Sequence, residues 1–574
     1  MPADINANFF GTVPACVLNI RAKLEPKFGG NWQMSSKVVS VEKAVALIPD
    51  GAHVAISSSS GLGCPNFTMR AIGEAFETKG HPRNLDLFLP IAAGDMYGVD
   101  GIDNVAKPGL LSRVICGSYP SGPSSRPSPK IWQMIGNDEV PAYNVPSGIM
   151  FDMIRDAAGN RAGVLTKVGL DTFIDPRRNG GKMNKAAKDD IVKIVEFDGD
   201  EWMHFPNIHP DVAIIRGTTA DENGNISMEH EGGYLGTIDV ALAARNNGGF
   251  VIAQVKRLTT AGSIPPQQVY IPSTMVDFVV VDPDQWQTTE TPYDPAISGH
   301  VRRPFSSFPP VEFGTDKIIA RRAAMELMMG DAVNLGFGIS ALIPRILIEE
   351  GQEEAVTWVI EQGAVGGVPL DGFAFGCAAN AQAIIPSPTQ FTYFQSGGED
   401  CGMLSFMEVD HDGSVNVSRL SAKPHVTAGV GGFVDITSHG KKLVFSGYFT
   451  AAGLKLDVTD GKLTILNEGK FPKFVEEVEH VTFSGRRSKT LGQDITYVTE
   501  RCVIKLTPDG LVVTEIAPGI DVERDVLGQA KARLTVSPQL REMDARLFRP
   551  EPMNLTPPDR STPRFRSAGG ASYE

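Results

Sequence analysis

No two cysteines in this chain are spaced to clip a metal. The six lie at Cys16, Cys64, Cys116, Cys377, Cys401 and Cys502. Without a CxxC pair among them, neither a zinc ribbon nor a disulfide framework is expected. The ten histidines contain no HExxH. His204 and His209 stand in MHFPNIHPD, a proline-containing loop with the wrong spacing for a helical ligand pair. No metal site is therefore predicted. Positive charge is also short, with 53 Lys and Arg against 67 Asp and Glu and a net charge of -14. A general nucleic-acid binder should show a basic face, so that class is excluded. A phosphorylated ligand met by a few local cations is not. No run approaches the ~18 uninterrupted apolar residues of a membrane helix. The start, MPADINANFF, lacks the basic region and apolar core of a secretory signal. A reduced, cytoplasmic protein with no membrane and no nucleic-acid partner is the expectation.

At 574 residues, the chain exceeds a single core, given roughly 150 residues per domain. It repeats itself. DGAHVAISSSSGLGCP (50–65) and GDAVNLGFGISALIP (330–344) each run from an apolar strand into small residues and a proline, with equal spacing from Val54 to Pro65 and from Val333 to Pro344. Each follows a helical-looking stretch, VEKAVALIP or KIIARRAAMELMM. Further on, DENGNISM (221–228) and DHDGSVNV (410–417) both read as a tight turn feeding a strand. VALAARNNGGFVIAQV (240–255) and FVDITSHGKKLVFSGY (433–448) then read as helix, polar turn and strand. Blocks in the same order predict an α/β fold with two related open α/β domains. The divisions expected are an N-terminal extension (1–39), a first half (40–282), a Pro-rich linker (283–315), a second half (316–545) and a flexible C-terminal tail (546–574).

The chemistry concentrates at VTWVIEQGAVGGVPLDGFAFG (356–376). The β-branched run predicts a buried strand with Glu361 at its carboxyl end, where open α/β sheets place ligands. Gly363, Gly366 and Gly367 follow and allow close backbone approach to a ligand. A glutamate with a reference pKa of about 4.3 is ionised at neutral pH and attacks a thioester carbonyl without a separate base. Amides of the glycine turn would hold the resulting oxyanion. Aligning LFLPIAAG (87–94) with VTWVIEQG (356–363) sets Ala92 opposite Glu361, so the first half lacks the carboxylate. The bland alternative is a glutamate that caps a turn or sits in a solvated loop.

EQGAVGGVPLDGFAFG resembles the active-site stretch of family I CoA-transferases, within the single-chain acetate/propionate (acyl-CoA:carboxylate) subgroup. RAGVLTKVGLDTFIDPRRNGGKMN (161–184), VAIIRGTTADENGNISMEHE (212–231), IAQVKRLTTAGSIPPQQVYIPSTMVDFVV (252–280) and TAGVGGFVDITSHGKKLVFSGYFTAAG (427–453) carry the same resemblance. It spans roughly residues 40–545 and implies the duplicated CoA-transferase fold. It also implies a ping-pong transfer of CoA from an acyl-CoA to a carboxylate, through a glutamyl-CoA thioester on Glu361. By the same resemblance, Gly366, Gly367 and Val368 form one oxyanion site. The loop Gly61–Asn66, with Gly63 and Asn66, forms another. Gly363, Gly429, Gly431, Gly432 and Lys256 are the expected CoA contacts. CoA is a substrate rather than a bound cofactor, and a homo-oligomer (dimer or tetramer) is implied. The chain departs from the family at Ser57–Ser60, where glycines are usual, and at Ser118-Tyr119, where a His-Trp pair is. Both regions resemble the acyl-pocket wall.

Two alternatives stay open at this point: a hydrolase on the same fold, and a silent CoA-binding protein. Gly336-Phe337-Gly338 lacks the rest of a dinucleotide fingerprint. Glu229 and Glu231 around His230 read as a solvated or structural pair. Arg257 beside Lys256 reads equally as a surface residue. Lys441 and Lys442 read as solvated. Cys64 would need a histidine partner to act as a nucleophile.

Overall fold

The computed structural model describes residues 36–120, 128–419 and 428–560. In the first half, HVAI becomes the strand His53–Ile56, whose last three residues are buried. It lies at the centre of a parallel sheet. On one side come Leu85–Leu89, Leu111–Cys116 and Ala142–Asn144; on the other come Val212–Asp221, Phe250–Thr259 and Phe278–Val281. The second half repeats the plan. Ala332–Leu335 has Thr357–Trp358 on one side and Cys401–Ser405, Lys442–Ser446 and Asp494–Val498 on the other, all parallel. Three further strands, Cys502–Thr507, Gly510–Ile516 and Leu534–Glu542, extend this sheet. Five strands therefore recur in the same spatial order in each half, and the fold is two related α/β units.

The turn signals recur as well. Asp221 Oδ1 accepts from the N–H groups of Asn223 and Asn225 at 3.0 and 2.9 Å. Asp410 Oδ1 accepts from those of Asp412 and Ser414 at the same two distances. Gly224 and Gly413 follow with φ of 89° and 81°, a region open to glycine at no steric cost.

Seven helices matter for the site: α1 (Val41–Val45), α2 (Asn66–Lys79), α3 (Ser147–Ala158), α4 (Thr237–Asn246), α5 (Thr315–Ala324), α6 (Ser387–Gln395) and α7 (Phe433–His439). The sequence blocks VEKAV and KIIARRAA are α1 and most of α5. Ser40 caps α1 by accepting from Lys43 N–H at 3.3 Å, the preferred chemistry at that position. Helices α3, α6 and α7 meet between the halves. Phe151, Phe391, Phe394 and Phe433 join one core there, with the Phe151 and Phe391 rings 5.5 Å apart. Among the described residues, no helix is long and apolar enough to cross a membrane.

Four sequence readings change. The run VTWVI yields only the two-residue strand Thr357–Trp358, because the chain turns back at once. The register to the central strands pairs Val54 with Leu87 and Val333 with Trp358. Glu361 therefore stands opposite Pro90, not Ala92. The two-residue slip preserves the in-out alternation and so left no trace in the pattern. The Pro-rich segment has neither long helix nor central strand, but it is no loose linker. Gln285, Gln287, Thr288, Thr289, Ala296 and Ile297 are buried, and the segment straps across the carboxyl ends of the first sheet. The C-terminal segment is anchored as far as residue 560, with Leu547, Phe548 and Met553 in the second-half core and Arg560 paired with Asp331 and Asp400. Residues 1–35 and 561–574 lie outside the described residues.

Candidate active site

Glu361 stands on a hairpin tip. Gly363 N–H donates to Ile360 O at 2.8 Å, Ile360 N–H to Ala364 O at 2.9 Å, and Val359 bridges Val365. Gly363 has a φ of 111°, and a Cβ there would lie 1.8 Å from Ile385 O. Only glycine permits this reversal with the Ile385 backbone lying across it. Residue 361 keeps some accessible surface, while its carboxyl group is enclosed by protein. Burial lifts the carboxyl to about 7, against the opposing pull of the neighbouring Gly432 backbone amide. The expectation of a fully ionised glutamate is thus corrected: desolvation disfavours the charged form, and near neutrality both forms are present.

That amide comes from the GVGGF block. Gly432 is the entry residue of α7, and a Cβ on it would lie 2.2 Å from Glu361 Oε2. The first half holds this segment in place. Tyr119 N–H donates to Ala428 O at 2.8 Å, Gly431 N–H to Gly117 O at 2.8 Å, and Ser147 N–H to Gly431 O at 2.9 Å. Val430 N–H donates to Asn144 Oδ1 at 3.1 Å. Gly429 bridges Ser118, and its missing side chain leaves room for Asn144 Nδ2, which a Cβ would meet at 2.8 Å. Gly431 faces open space, with nothing within 4 Å of a Cβ.

The turn after Glu361 does other work than expected. Gly366 N–H is spent on Trp358 O at 2.8 Å, so it is not a free oxyanion donor. Gly367 has a φ of 74°, and a Cβ on it would lie 2.3 Å from Ala379 O. Val368 pairs with Ala379 in a two-stranded ladder. These residues build the hairpin that carries Glu361.

The first-half loop does reach the site. Gln362 Nε2 donates to Ser59 Oγ at 3.1 Å, and Ser60 N–H donates to Ala92 O at 2.6 Å. Gly63 is at φ 65° with Leu235 filling its open side. Asn66 Oδ1 accepts from Gly101 N–H at 2.9 Å and Asn104 Nδ2 at 3.0 Å, which anchors the residue to the Gly101–Asn104 turn. Ser118 Oγ accepts from Ala92 N–H at 3.1 Å. The Tyr119 ring is buried, with its OH on Tyr143 O at 3.0 Å.

The remaining candidates fall to structural roles. Lys256 Nζ donates to Gln285 O at 2.8 Å, and Arg257 pairs with Glu229 at 2.7 Å; neither touches the Glu361 turn. Glu231 forms a buried two-pronged pair with Arg216, at 2.7 and 3.3 Å. Cys64 is buried, which pushes its thiol up to about 12, far from a reactive thiolate. Lys442 is not solvated but pairs with Glu326 at 2.9 Å. No group of His, Cys, Asp and Glu suited to a metal occurs among the described residues. Sequence reasoning missed Asn144, Gly148, Gln395 and Asp435, which surround the Gly429–Gly432 segment from separate stretches of chain. It also missed Gly432 as the amide on Glu361; the only signal was the GVGGF resemblance, and that pointed to CoA.

Residues 38–282 match the family described as Coenzyme A transferase. The chain is 40% identical over 519 residues to the caffeate CoA-transferase of Acetobacterium woodii, covering 89% of this chain and 97% of that one. It is 37% identical over 524 residues to the acetate CoA-transferase YdiF of Escherichia coli K12, covering 91% and 97%. The crystal structure of the YdiF apoenzyme from Escherichia coli O157:H7 superposes with a TM-score of 0.86 at 35% identity, over 92% of this chain and 99% of that one. A YdiF thioester complex with CoA superposes with a TM-score of 0.84 at 36% identity, covering 92% and 98%.

Proposed function

The chain belongs to the coenzyme A transferase family and is an enzyme of that class, and we propose that it moves CoA by ping-pong chemistry on Glu361. The observation that carries this reading is the enclosed Glu361 carboxyl set directly against Gly432, where a Cβ would lie 2.2 Å from Oε2, at the seam of the two halves. The ionised carboxylate attacks the thioester carbonyl of an acyl-CoA. The tetrahedral oxyanion collapses, CoA leaves as thiolate, and an acyl-glutamyl anhydride remains. The thiolate then attacks the glutamyl carbonyl, the acyl group departs as its carboxylate, and a glutamyl-CoA thioester is left. An acceptor carboxylate reverses the two steps and leaves as the new acyl-CoA.

The geometry suits these steps. Burial makes Glu361 a stronger nucleophile once ionised, since its proton affinity is raised. When the glutamyl carbonyl is itself attacked, an oxyanion develops on the oxygen beside Gly432. A fixed amide aimed there is worth roughly 2.7–4 kcal/mol. Gly431, next in the chain, leaves an open face where the pantetheine arm of CoA can lie against backbone. The thioester complex of YdiF with CoA supports the same intermediate here. The named acids of the relatives, caffeate and acetate, support a carboxylic acid acceptor.

Brief exposure to a panel of acyl-CoAs, then intact mass, borohydride reduction and peptide mapping, tests this. A CoA-sized adduct, or Glu361 reduced to its alcohol, is the expected result. Absence of any adduct while CoA still binds would sink the covalent route. Strict dependence of product formation on an acceptor acid separates transfer from hydrolysis.

A further inference from the structure

Asp435 lies in the first turn of α7, three residues after Gly432, and is fully buried. An acidic side chain at this position usually turns back toward its own helix entrance. This one crosses to the other half. Its Oδ2 accepts from Gly148 N–H, in the first turn of α3, at 3.0 Å. Its Oδ1 accepts from Gln395 Nε2, the last residue of α6, at 3.1 Å. The same Gln395 nitrogen donates its second hydrogen to Asp152 Oδ2, one turn along α3, at 3.1 Å. A Cβ on Gly148 would lie 2.4 Å from Asp435 Oδ1 and 2.8 Å from Gln395 Nε2, so glycine at 148 makes room for this junction. The next residue toward the N-terminus, Ser147, donates its N–H to Gly431 O. The knot therefore fixes both ends of the Gly431–Gly432 step that meets Glu361.

The charges around it are one-sided. Asp152 and Glu361 both act on Asp435, and each opposes its ionisation. The nearest guanidinium on α3, Arg155, is committed to Asp239 at 3.3 Å, and Asp156 adds a further negative group. On α7, His439 bonds Gln395 O at 2.7 Å through Nδ1 and sits near Lys167 and Arg487, at the far end of the helix. Among the described residues, no salt-bridge partner contacts Asp435 itself. A carboxyl buried without a cation is held neutral, and burial pushes this one up to about 8.

We propose that Asp435 is a positioning residue for the transfer reaction: as a neutral acid bonded to Gly148 and Gln395, it holds the entrance of α7 so that the Gly432 amide points at the Glu361 carboxyl. This rests on the reading of Glu361 as the nucleophile. Neutrality is part of the role. The Glu361 charge already opposes ionisation of Asp435, and a charge on Asp435 would in turn repel the oxyanion developing on residue 361.

The test is single-turnover formation of the glutamyl-CoA adduct across pH in the full-length enzyme. Wild type should rise through pH 7 and fall above about pH 8. In Asp435→Asn, a permanently neutral side chain keeps the acceptor for Gly148, and Gln395 can turn its amide to receive the new N–H. This variant should stay within about 5-fold of wild type near pH 7 and lose the alkaline fall. Asp435→Leu should lose about 100-fold in kcat with KM for the acyl-CoA nearly unchanged, as expected for a misplaced donor. Gln395→Met removes a donor to Asp435 and should move the alkaline fall upward, which keeps the idea testable if the leucine variant does not fold. An asparagine variant that keeps the wild-type alkaline fall, or that is as slow as the leucine variant at every pH, would overturn the proposal. A wild-type enzyme with no adduct at any pH would instead overturn the Glu361 reading itself, and this one with it.

Discussion

The missing side chain of Gly432 is occupied by Glu361: a Cβ at residue 432 would lie 2.2 Å from Glu361 Oε2. The glycine is needed for space, since its φ of -88° is open to any residue. The same Cβ would lie 2.5 Å from the buried Phe391 ring, so Gly432→Ala should cost some stability and displace the Glu361 carboxyl. A loss of roughly 100- to 1,000-fold in kcat is expected, the cost of one oxyanion donor. Steady-state rates together with a thermal melt check this. An alanine variant with wild-type kcat would mean that the Gly432 contact does no catalytic work.

Protonation of Glu361 should govern the acid limb. Its folded carboxyl titrates at about 7, and only the ionised form attacks. Below that pH the rate of adduct formation should fall about 10-fold per unit. A nucleophile with an ordinary carboxyl would already be saturated at pH 6, so rapid-quench data between pH 5 and 8 discriminate.

The inter-half bond from Gln362 to Ser59, 3.1 Å long, ties the Glu361 hairpin to the first-half loop. Gln362→Met keeps the volume and removes the donor. It should slow adduct formation about 10-fold, at the low end of what misplacing a reacting group costs, while leaving CoA binding measured by calorimetry nearly unchanged.

Much of this was legible before the structure. The Asn223-Gly224 and Asp412-Gly413 turns and the matched spacings around Val54 and Val333 encode local geometry, and local geometry is what turn chemistry dictates. Glu361 was visible because strand, carboxylate and glycines are contiguous. What escaped depends on distant segments. Gly366 looked like a free donor, yet Trp358 takes its N–H; Gly432 looked like a CoA contact, yet it is aimed at Glu361. Sequence spacing carries no information about which of two glycine amides a hairpin will consume. The raised pKa of Glu361 is a sum of burial contributed by both halves, which no local window contains.

Glu231 beside His230 invites an acid–base role that the structure withholds. Its carboxylate is buried in a fork with Arg216, and Gln285 Nε2 adds a third bond at 3.2 Å. Glu231→Ala leaves the Arg216 charge without its carboxylate, which typically costs about 3–5 kcal/mol. The expected signature is a lower melting temperature, with kcat of the surviving folded enzyme within about 3-fold of wild type, since no proton transfer runs through it.

Glu399 is the clearest stability liability. It is fully buried, and among the described residues neither carboxyl oxygen has a hydrogen-bond partner. Burial pushes it up to about 8, with its own backbone amide and then Lys441 pulling the other way. The folded state thus keeps a proton that the unfolded chain releases near its ordinary carboxyl value. Between about pH 4.5 and 8 the unfolded state binds fewer protons, so this residue makes stability fall as pH rises, and the loss is complete above pH 8. Glu399→Gln removes the titration while keeping the shape. It should raise the melting temperature most at pH 8–9 and little at pH 4.5, with a gain on the order of 3 kcal/mol at the alkaline end. Melts of both proteins across that range decide the matter: a shift equal at every pH would show that the side chain's charge is not what costs the native state.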